Sequence, residues 1–409
     1  MQVKRAIDKM ENKSESEASL GRLFLPSLTV SSFAVGPLSV WAALLLIDIG
    51  YSLNTSVGVT GQINTSYSIA AFIFALLMGV LSIRFKHKSL LLVGLALIGV
   101  SALGCFLASD YVMMLVFYSI SGIGYAMANP MIFALVGEHL PLKNRANAIG
   151  WVVAGGALVF VIGAPVIAIT AGIGGWRLPL LAFVMPILLV SLLLAFPSLP
   201  STSINRQTIV DSKTYLRSFR EILLNRSAVA CLTGDFLRSA AFVALVIYVT
   251  SFVRQRFLLS TDLASIVLLF GALSYAIGSL ACGFFVNRFG RKLSAVVTAF
   301  LAGIFIISYV YVPIFWLSLL LILVASWFSG MVASAANSLT LEQVPKLRGS
   351  MMSIDSAVLS LGSALGTAAG GLALLYFNYE GLCSVLGIIG MVAALILFAL
   401  AKDPTKENT

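Results

Sequence analysis

The chain has 409 residues, of which 59% are apolar and only 10% carry a charge, and its mean hydropathy is +1.02. Soluble domains are roughly 45–50% apolar and about 25% charged, so this composition excludes one large soluble core and indicates a membrane protein. The net charge of +10 is distributed over short loops and tails beside apolar runs. We therefore expect the lipid bilayer as a partner and no nucleic acid.

The chain begins with a polar stretch of mixed charge, residues 1–26. No apolar stretch with a small-residue cleavage site follows its first charges at signal-peptide distance. We interpret this stretch as a cytoplasmic tail.

Twelve apolar runs follow, each about as long as the roughly 20 residues that a membrane-spanning helix needs. Numbered as spans 1 to 12, they lie near residues 27–47, 62–83, 89–108, 111–137, 147–172, 178–197, 227–252, 263–286, 293–313, 315–337, 350–377 and 381–401. The longest polar stretch between them separates spans 6 and 7. We therefore predict an N-terminal six-helix bundle (27–197), a cytoplasmic linker (198–226), a C-terminal six-helix bundle (227–401) and a cytoplasmic tail (402–409).

Lysine and arginine are strongly biased toward alternate loops. If the amino terminus is cytoplasmic, 22 of the 26 basic residues fall on the cytoplasmic side. Because cytoplasmic loops are enriched in these residues, both termini are predicted to be cytoplasmic, in the plasma membrane.

The two halves repeat each other at a fixed offset of 204 residues. The repeated loop residues are Gly79 and Gly283, Arg84 and Arg288, Lys88 and Lys292, Glu138 and Glu342, and Pro141 and Pro345. A membrane chain built twice from one bundle is typical of secondary transporters, which hold their substrate near the midplane where the repeats meet.

One of these loops carries the most specific motif in the chain. It runs from Gly283 to Lys292 and includes Asn287, Arg288, Gly290 and Arg291. It resembles the loop motif G-x-x-x-D-R-x-G-R-K of the major facilitator superfamily, especially its drug/proton antiporter and arabinose-efflux-permease group. The N-terminal copy, with Gly79, Arg84 and Lys88, departs from it by having Ile83 in place of the aspartate.

The resemblance implies an all-α membrane protein with twelve transmembrane helices in two pseudo-symmetric six-helix bundles, working by alternating access. It also implies that these loop residues form a cytoplasmic gate. The alternative is that they are ordinary basic loops that follow the charge bias.

Small residues cluster in two spans. Gly155, Gly163 and Pro165 in span 5 are similar to the antiporter motif G-x-x-x-G-P-x-x-G-G, although Ala164 separates its glycine and proline. Gly362, Gly366 and Gly370 in span 11 recur every four residues. Such stripes allow helices to approach closely, so we assign these six residues to helix packing.

Charged residues inside a span are rare and costly, which makes each of them a functional candidate. Asp235 and Arg238 lie about 13 and 18 Å along span 7 from Arg226, near mid-membrane, and their spacing lets them pair. We predict that Asp235 carries a proton and releases Arg238. The alternative is a permanent ion pair that only makes burial tolerable.

Asp355 lies about 10 Å along span 11 from Arg348. The first hypothesis for it is a latch to Arg84 or Lys88 in the loop after span 2. Direct participation in proton coupling, with Asp235 and Arg238, is the second.

Uncharged polar and aromatic side chains dominate the remaining spans that we expect to line a cavity. The candidates are Tyr67, Tyr118, Tyr125, Asn129, Tyr248, Trp327 and Asn337. Helix packing is the alternative role for each one. Together they predict a largely apolar cavity for a small neutral or amphipathic solute.

These residues lead to proton-coupled efflux as the first functional hypothesis, with import by symport or uniport as the second. We expect no cofactor, no metal and no enzyme activity, with the proton gradient as the driving force and a monomeric protein as the working unit. A transporter-like sensor is a minor alternative. An intramembrane aspartyl protease is another, but Gly234-Asp235 lacks the preceding residues of a G-x-G-D motif.

Overall fold

The computed structural model describes residues 23–140, 142–200, 220–344 and 348–403. Most of the predicted tail, residues 201–219 of the linker and the last six residues lie outside this range. Within these ranges, the description leaves out the burial of Gly79 and the side chains of residues 80, 83, 142–147, 348–350 and 353.

The described residues are almost entirely helical, and none of them lies in a β-strand. Within the described residues, eleven apolar helical segments are long enough to cross a membrane, and the last of them, Ile354–Leu400, has 47 residues. That segment is too long for one crossing of a hydrocarbon core about 30 Å thick. Its helix reverses at Asn378, where φ is 59° and ψ is −164°, so it contains spans 11 and 12.

Spans 1 to 6 occupy the N-terminal bundle. Their helices are Phe24–Val35, Pro37–Leu44 and Leu46–Ser52 in span 1, Val57–Thr60 and Gln62–Arg84 in span 2, His87–Leu107 in span 3, Tyr111–His139 in span 4, Leu142–Leu158, Val159–Gly163 and Ala164–Gly174 in span 5, and Leu180–Val184 and Met185–Ser198 in span 6.

Spans 7 to 12 occupy the C-terminal bundle. Their helices are Arg226–Phe257 in span 7, Thr261–Phe289 in span 8, Arg291–Ser308 and Tyr309–Tyr311 in span 9, Phe315–Leu341 in span 10, and Arg348–Leu400 in spans 11 and 12.

Local chemistry explains where several helices begin and bend. The side chains of Asp110 and Ser260 accept hydrogen bonds from backbone N–H groups in the first turns of spans 4 and 8. Pro165 follows a π-helical turn, Val159–Gly163, in span 5, because proline removes one backbone donor from the regular ladder.

The packing of the helices follows the sequence repeat. Within the N-terminal bundle, span 3 packs on span 4. Within the C-terminal bundle, span 7 packs on span 11, span 8 on span 10, and span 9 on span 12. The bundles meet along span 2 against span 11, span 5 against span 8, and span 1 against span 7. Because an offset of six spans relates span 2 to span 8 and span 5 to span 11, the first two contacts are equivalent under the pseudo-symmetry.

Close helix approach depends on particular glycines. A Cβ atom at Gly366 would lie 2.0 Å from the carbonyl oxygen of Ala240, and one at Gly362 would lie 2.2 Å from that of Phe236. In span 5, a Cβ at Gly155 would lie 2.4 Å from the carbonyl oxygen of Thr29. Gly163 differs, since a Cβ there would make only ordinary contacts of 3.5 Å. Gly370 is intermediate, with the ring of Tyr248 at 3.1 Å.

Candidate functional site

A charged pair is buried in the middle of span 7. Arg238 donates from Nε to Oδ1 of Asp235 over 2.9 Å, and its Nη2 lies 2.8 Å from the same oxygen. Asp235 is fully buried, and the Arg238 side chain is 10% exposed. The i,i+3 spacing read from the sequence therefore forms an ion pair on one helix face.

Span 10 supplies two further partners of this pair. The hydroxyl of Thr340 donates to Oδ2 of Asp235 over 2.8 Å, and Nη2 of Arg238 donates to Oδ1 of Asn337 over 3.4 Å. Both carboxylate oxygens of Asp235 are thus hydrogen-bonded, one to a guanidinium and one to a hydroxyl. Asn337, predicted as a cavity residue, contacts the charged pair directly.

Asp355 of span 11 completes the cluster. Asp355 is 1% exposed, and it interacts electrostatically with Asp235 and Arg238. Its Oδ1 atom has no hydrogen-bond partner among the described residues. The hypothesis of a latch to Arg84 is not met in this conformation, because Arg84 is exposed and Asp355 is held inside the C-terminal bundle.

The cluster therefore holds two carboxylates and one guanidinium. Among the described residues, Cys231 of span 7 and Tyr275 of span 8 also interact with it. The ring of Tyr275 stacks on Phe242 with centroids 4.6 Å apart. This buried cluster therefore holds one more acidic side chain than basic side chain, and an uncompensated charge is costly in such a site.

The aromatic residues of the N-terminal bundle form a connected group. The ring of Tyr67 lies 5.6 Å from that of Tyr118 and 6.1 Å from that of Tyr125. Tyr125 is 37% exposed, but Tyr118 is fully buried. Tyr118 therefore supports the core behind Tyr67, and the prediction that it lines the cavity is wrong for this conformation. Asn129 is partly buried, next to Pro130 within span 4.

Two candidates in the C-terminal bundle also have packing roles. Tyr248 is fully buried and donates to the carbonyl oxygen of Thr367, so it does not line an open cavity. Trp327 is partly buried and donates to the sulfur of Met331 over 3.1 Å. A Cβ at Gly278 would lie 2.1 Å from the backbone oxygen of Trp327. Trp327 therefore lies at the contact between spans 8 and 10.

The bundles are joined at the end of the molecule that holds Asp48 and Arg254, which we call the closed end. The Arg254 guanidinium binds both carboxylate oxygens of Asp48, with Nη2 to Oδ1 at 3.1 Å. The hydroxyl of Thr250 donates to the carbonyl oxygen of Ala43 beside it. Asp48, at the end of span 1, thus carries an ion pair between the bundles.

Spans 2 and 11 extend this contact toward the midplane. Thr65 and Thr367 share a hydrogen bond of 3.0 Å, and Ser68 and Ser363 share one of 2.9 Å. Gln62 donates to the carbonyl oxygen of Ala368 over 3.4 Å. These short polar side chains let the two helices meet closely without burying a charge.

The bundles separate toward the other end, which holds Arg84 and Arg288 and which we call the open end. Ser68 and Ser363 are 1% and 8% exposed, respectively. Span 1 packs on span 7 mainly through Pro37–Leu44, and span 5 packs on span 8 mainly through Ala164–Gly174, which are the parts of both spans nearer the closed end. The structure thus represents a state that is closed at one end and open at the other.

The repeated loops at the open end form matching ion pairs. His87 Nδ1 lies 2.8 Å from Glu138 Oε1, and 204 residues later Arg291 Nη1 lies 3.8 Å from Glu342 Oε1. The loop into span 9 turns at Gly290, whose φ of 87° favours glycine. Asp403 then accepts hydrogen bonds from the N–H groups of Arg291 and Lys292, at the helix N-terminus.

The other loop residues differ in their surroundings. Lys88 donates to the carbonyl oxygen of Leu199 over 2.7 Å, and Arg288 lies over the ring of Phe289 at 5.5 Å. Arg84, Gly283 and Asn287 are exposed. The predicted gate residues thus lie together at the open end, without an ion pair between the bundles among those described.

Sequence reasoning missed Thr340, Thr250, Asp403 and the serine and threonine pairs of spans 2 and 11. Hydroxyl side chains are common in apolar spans, so they gave no signal. The Asp48–Arg254 pair did have one, because opposite charges end spans 1 and 7, which the repeat makes equivalent.

A helical membrane protein of two repeated bundles, joined at one end and open at the other around buried charges, has the architecture of a secondary transporter. The family model described as Major Facilitator Superfamily matches residues 27–311 and 250–409, so the chain belongs to that superfamily.

Two curated relatives come from Bacillus subtilis (strain 168). The uncharacterized MFS-type transporter YceJ is 23% identical over 386 residues, covering 92% of this chain and 94% of its own. The uncharacterized MFS-type transporter YwfA is 20% identical over 384 residues, covering 92% of each chain.

Solved structures support the fold. A D-xylose-proton symporter superposes with a TM-score of 0.77 at 17% identity, covering 94% of this chain and 99% of its own. The nucleoside transporter NupG superposes with a TM-score of 0.77 at 15% identity, covering 93% and 99%. At this identity the likeness concerns the fold alone.

Proposed function

We propose that this chain is a proton-coupled secondary transporter that exports a small neutral or amphipathic solute by alternating access. In this proposal it works without a cofactor, as a monomer in the plasma membrane, with both termini in the cytoplasm. The open end then faces the cytoplasm, and the structure represents the inward-open state.

One observation carries the proposal: two buried carboxylates, Asp235 and Asp355, lie in one site with a single guanidinium, that of Arg238, which is bound to Asp235. If both carboxylates were ionised, one negative charge would remain uncompensated in the membrane interior, which is energetically costly. One proton therefore belongs to the site in the resting state.

The hydrogen bonds favour Asp355 over Asp235 as the proton carrier. Both oxygens of Asp235 accept from Arg238 and Thr340, and these donors stabilise its charged form. Asp355 has an unpartnered Oδ1 in the same buried site. The proposal thus moves the coupling role predicted for Asp235 to Asp355, and gives Asp235 the role of holding Arg238.

Loss of the proton changes the balance among three helices. An ionised Asp355 competes with Asp235 for Arg238, which also binds Asn337 of span 10. A shift of Arg238 toward span 11 therefore weakens its contacts to spans 7 and 10. Since span 11 also contacts span 2 of the other bundle, proton release is linked to the contact on which the bundles move.

A second candidate is proton symport into the cell. One of the structurally similar proteins is titled a D-xylose-proton symporter, and its fold covers nearly the whole of this chain. A single buried proton site serves either direction, because direction depends on whether proton and solute share the site or exclude one another.

The test is a proton flux measurement in liposomes containing the purified protein and an internal pH dye. A panel of amphipathic cations, nucleosides, sugars and small acids is added on one side. A solute that drives protons in the opposite direction supports antiport. Flux of the proton with the solute supports symport.

Two variants and a control test the site. Asp355→Asn should keep the exchange of labelled solute across the membrane but reduce proton flux to the level of empty liposomes. Asp235→Asn should impair both, because it leaves Arg238 buried without its main partner. Asp110→Asn, at an exposed helix end, is the control. Full gradient-driven transport by Asp355→Asn would contradict the proposal.

A further inference from the structure

A groove opens on the lipid-facing side of the C-terminal bundle, between spans 9 and 12. It has a volume of about 220 Å³ and is lined entirely by apolar residues, namely Val296, Val297, Phe300, Leu301, Ala394, Leu395 and Phe398. Phe398 and Leu395 are 63% and 61% exposed. The groove runs along two membrane-spanning helices, so its surroundings are hydrocarbon rather than water.

Two lysines stand at one end of this groove. Lys292 lies one helical turn before Val296, and its ammonium is 5.7 Å from the centroid of the Phe398 ring. Lys402 lies four residues after Phe398, just beyond the end of span 12, and is exposed. The backbone at Lys402 is fixed, because its N–H donates to Ser227 Oγ and its carbonyl accepts from Gln343.

The charges of these lysines are not neutralised by the described part of the chain. Neither forms an ion pair with a described carboxylate. Asp403, the residue after Lys402, is 9% exposed, and its carboxylate accepts hydrogen bonds from the N-terminus of span 9. The lysines therefore keep their ammonium donors for a ligand at the membrane surface.

The equivalent lysine in the other half has a different environment. Lys88 stands 204 residues before Lys292 and lies over the ring of Phe196 at 5.6 Å. Its ammonium, however, donates to the carbonyl oxygen of Leu199 over 2.7 Å. The repeat thus provides a matched lysine whose ammonium is already held by a hydrogen bond within the protein.

We propose that the groove between spans 9 and 12 binds one anionic phospholipid of the cytoplasmic leaflet. An acyl chain occupies the apolar groove, and the headgroup phosphate is bound by Lys292 and Lys402. Anionic lipids are concentrated in that leaflet, and each lysine near the surface contributes favourably to their binding. The pairing of a groove with two lysines at one end selects a ligand that has both a chain and a negative charge.

The test is native mass spectrometry of the whole protein in detergent, titrated with phosphatidylglycerol or with phosphatidylcholine of the same chains. The wild type should retain one phosphatidylglycerol, with an affinity roughly tenfold or more above that for phosphatidylcholine. Lys292→Gln combined with Lys402→Gln should abolish this preference. Lys88→Gln should leave it unchanged.

A further variant separates the groove from the charges. Val297 is 46% exposed and lines the groove, so Val297→Trp fills it without removing a lysine. It should reduce binding of the retained phosphatidylglycerol. An unchanged preference in the double lysine variant would overturn the proposal. The proposal would also be overturned if inorganic phosphate displaced the bound phosphatidylglycerol as effectively as added phosphatidylglycerol does. Detection of a stable protein dimer without bound lipid would overturn it as well.

This inference does not depend on proton coupling. Lipid binding is read in the absence of a gradient or a solute, and none of the substituted residues belongs to the buried charge cluster.

Discussion

Thr340 holds a carboxylate oxygen of Asp235 at a distance of 2.8 Å, in a place where water is scarce. A hydrogen bond to a charged group contributes roughly 1.5–3 kcal/mol, so its loss should be visible in transport. The chemistry of single side chains thus decides how this site works. Spacing along the sequence identified Asp235 and Arg238 as a pair. It contained no information about the hydrogen bond from Thr340, or about the carboxylate oxygen of Asp355 that lacks a partner.

We expect Thr340→Val to lower proton-coupled transport about tenfold, because Asp235 then loses its second donor and Arg238 its fixed position. Thr340→Ser retains the hydroxyl and should stay within about twofold of wild type. The measurement is the initial rate of proton flux in liposomes, normalised to the amount of folded protein. Equal rates for the valine and serine variants would show that the hydroxyl does not position the carboxylate.

At the scale of the helix, small residues set the distances between spans. The four-residue spacing of Gly362 and Gly366 was readable in the sequence, but its packing partner was not. The structure shows that both face backbone oxygens of span 7, the span that carries Asp235 and Arg238. Close packing of spans 7 and 11 is also what brings Asp355 to that pair.

Gly366→Ala should lower thermal stability by several degrees, because its Cβ would lie 2.0 Å from the Ala240 oxygen and overpacking costs roughly 1–3 kcal/mol. Gly99→Ala is the matched control, since a Cβ at Gly99 has no atom within 4 Å. The melting temperature of the protein in detergent, followed by the fluorescence of a thiol dye, gives the comparison. The four native cysteines are buried and would report unfolding. Equal melting temperatures for the two variants would contradict the packing argument.

At the scale of the whole molecule, the polar contacts that join the bundles concentrate at one end. The Asp48–Arg254 pair is partly buried and connects spans 1 and 7 across the pseudo-symmetry axis. Alternating access requires this end to open, so the ion pair contributes to the balance between the two states.

Asp48→Asn should shift that balance toward opening of the closed end, by about tenfold in population if the pair contributes roughly 1.4 kcal/mol. Spin labels on cysteines introduced at Tyr51 and Tyr376, both highly exposed, report the distance by electron paramagnetic resonance. Asp110→Asn should leave the distance distribution unchanged. The double swap Asp48→Arg with Arg254→Asp should restore the wild-type distribution in part. Identical distributions for Asp48→Asn and Asp110→Asn would mean that other contacts hold this end closed.

The class of fold follows from the hydropathy of the amino-acid sequence alone. In lipid, an apolar run of about 20 residues must satisfy its own backbone hydrogen bonds, which it can do as a helix. The apolar runs therefore predicted the spans, including the break between spans 11 and 12 near Asn378. The offset of 204 residues also predicted the equivalence that His87–Glu138 and Arg291–Glu342 display as ion pairs.

Which residues come into contact depends on how the helices pack. Asp235 and Asp355 are 120 residues apart in sequence. They become neighbours because spans 7 and 11 pack closely through glycines. The structure contains neither the predicted latch from Asp355 to Arg84 nor the predicted cavity positions of Tyr118 and Tyr248. The state of the molecule, closed at Asp48 and open at Arg84, was also absent from the pattern. A pattern of hydropathy fixes which segments lie in the membrane, whereas the relative position of two bundles depends on a few short polar contacts between them.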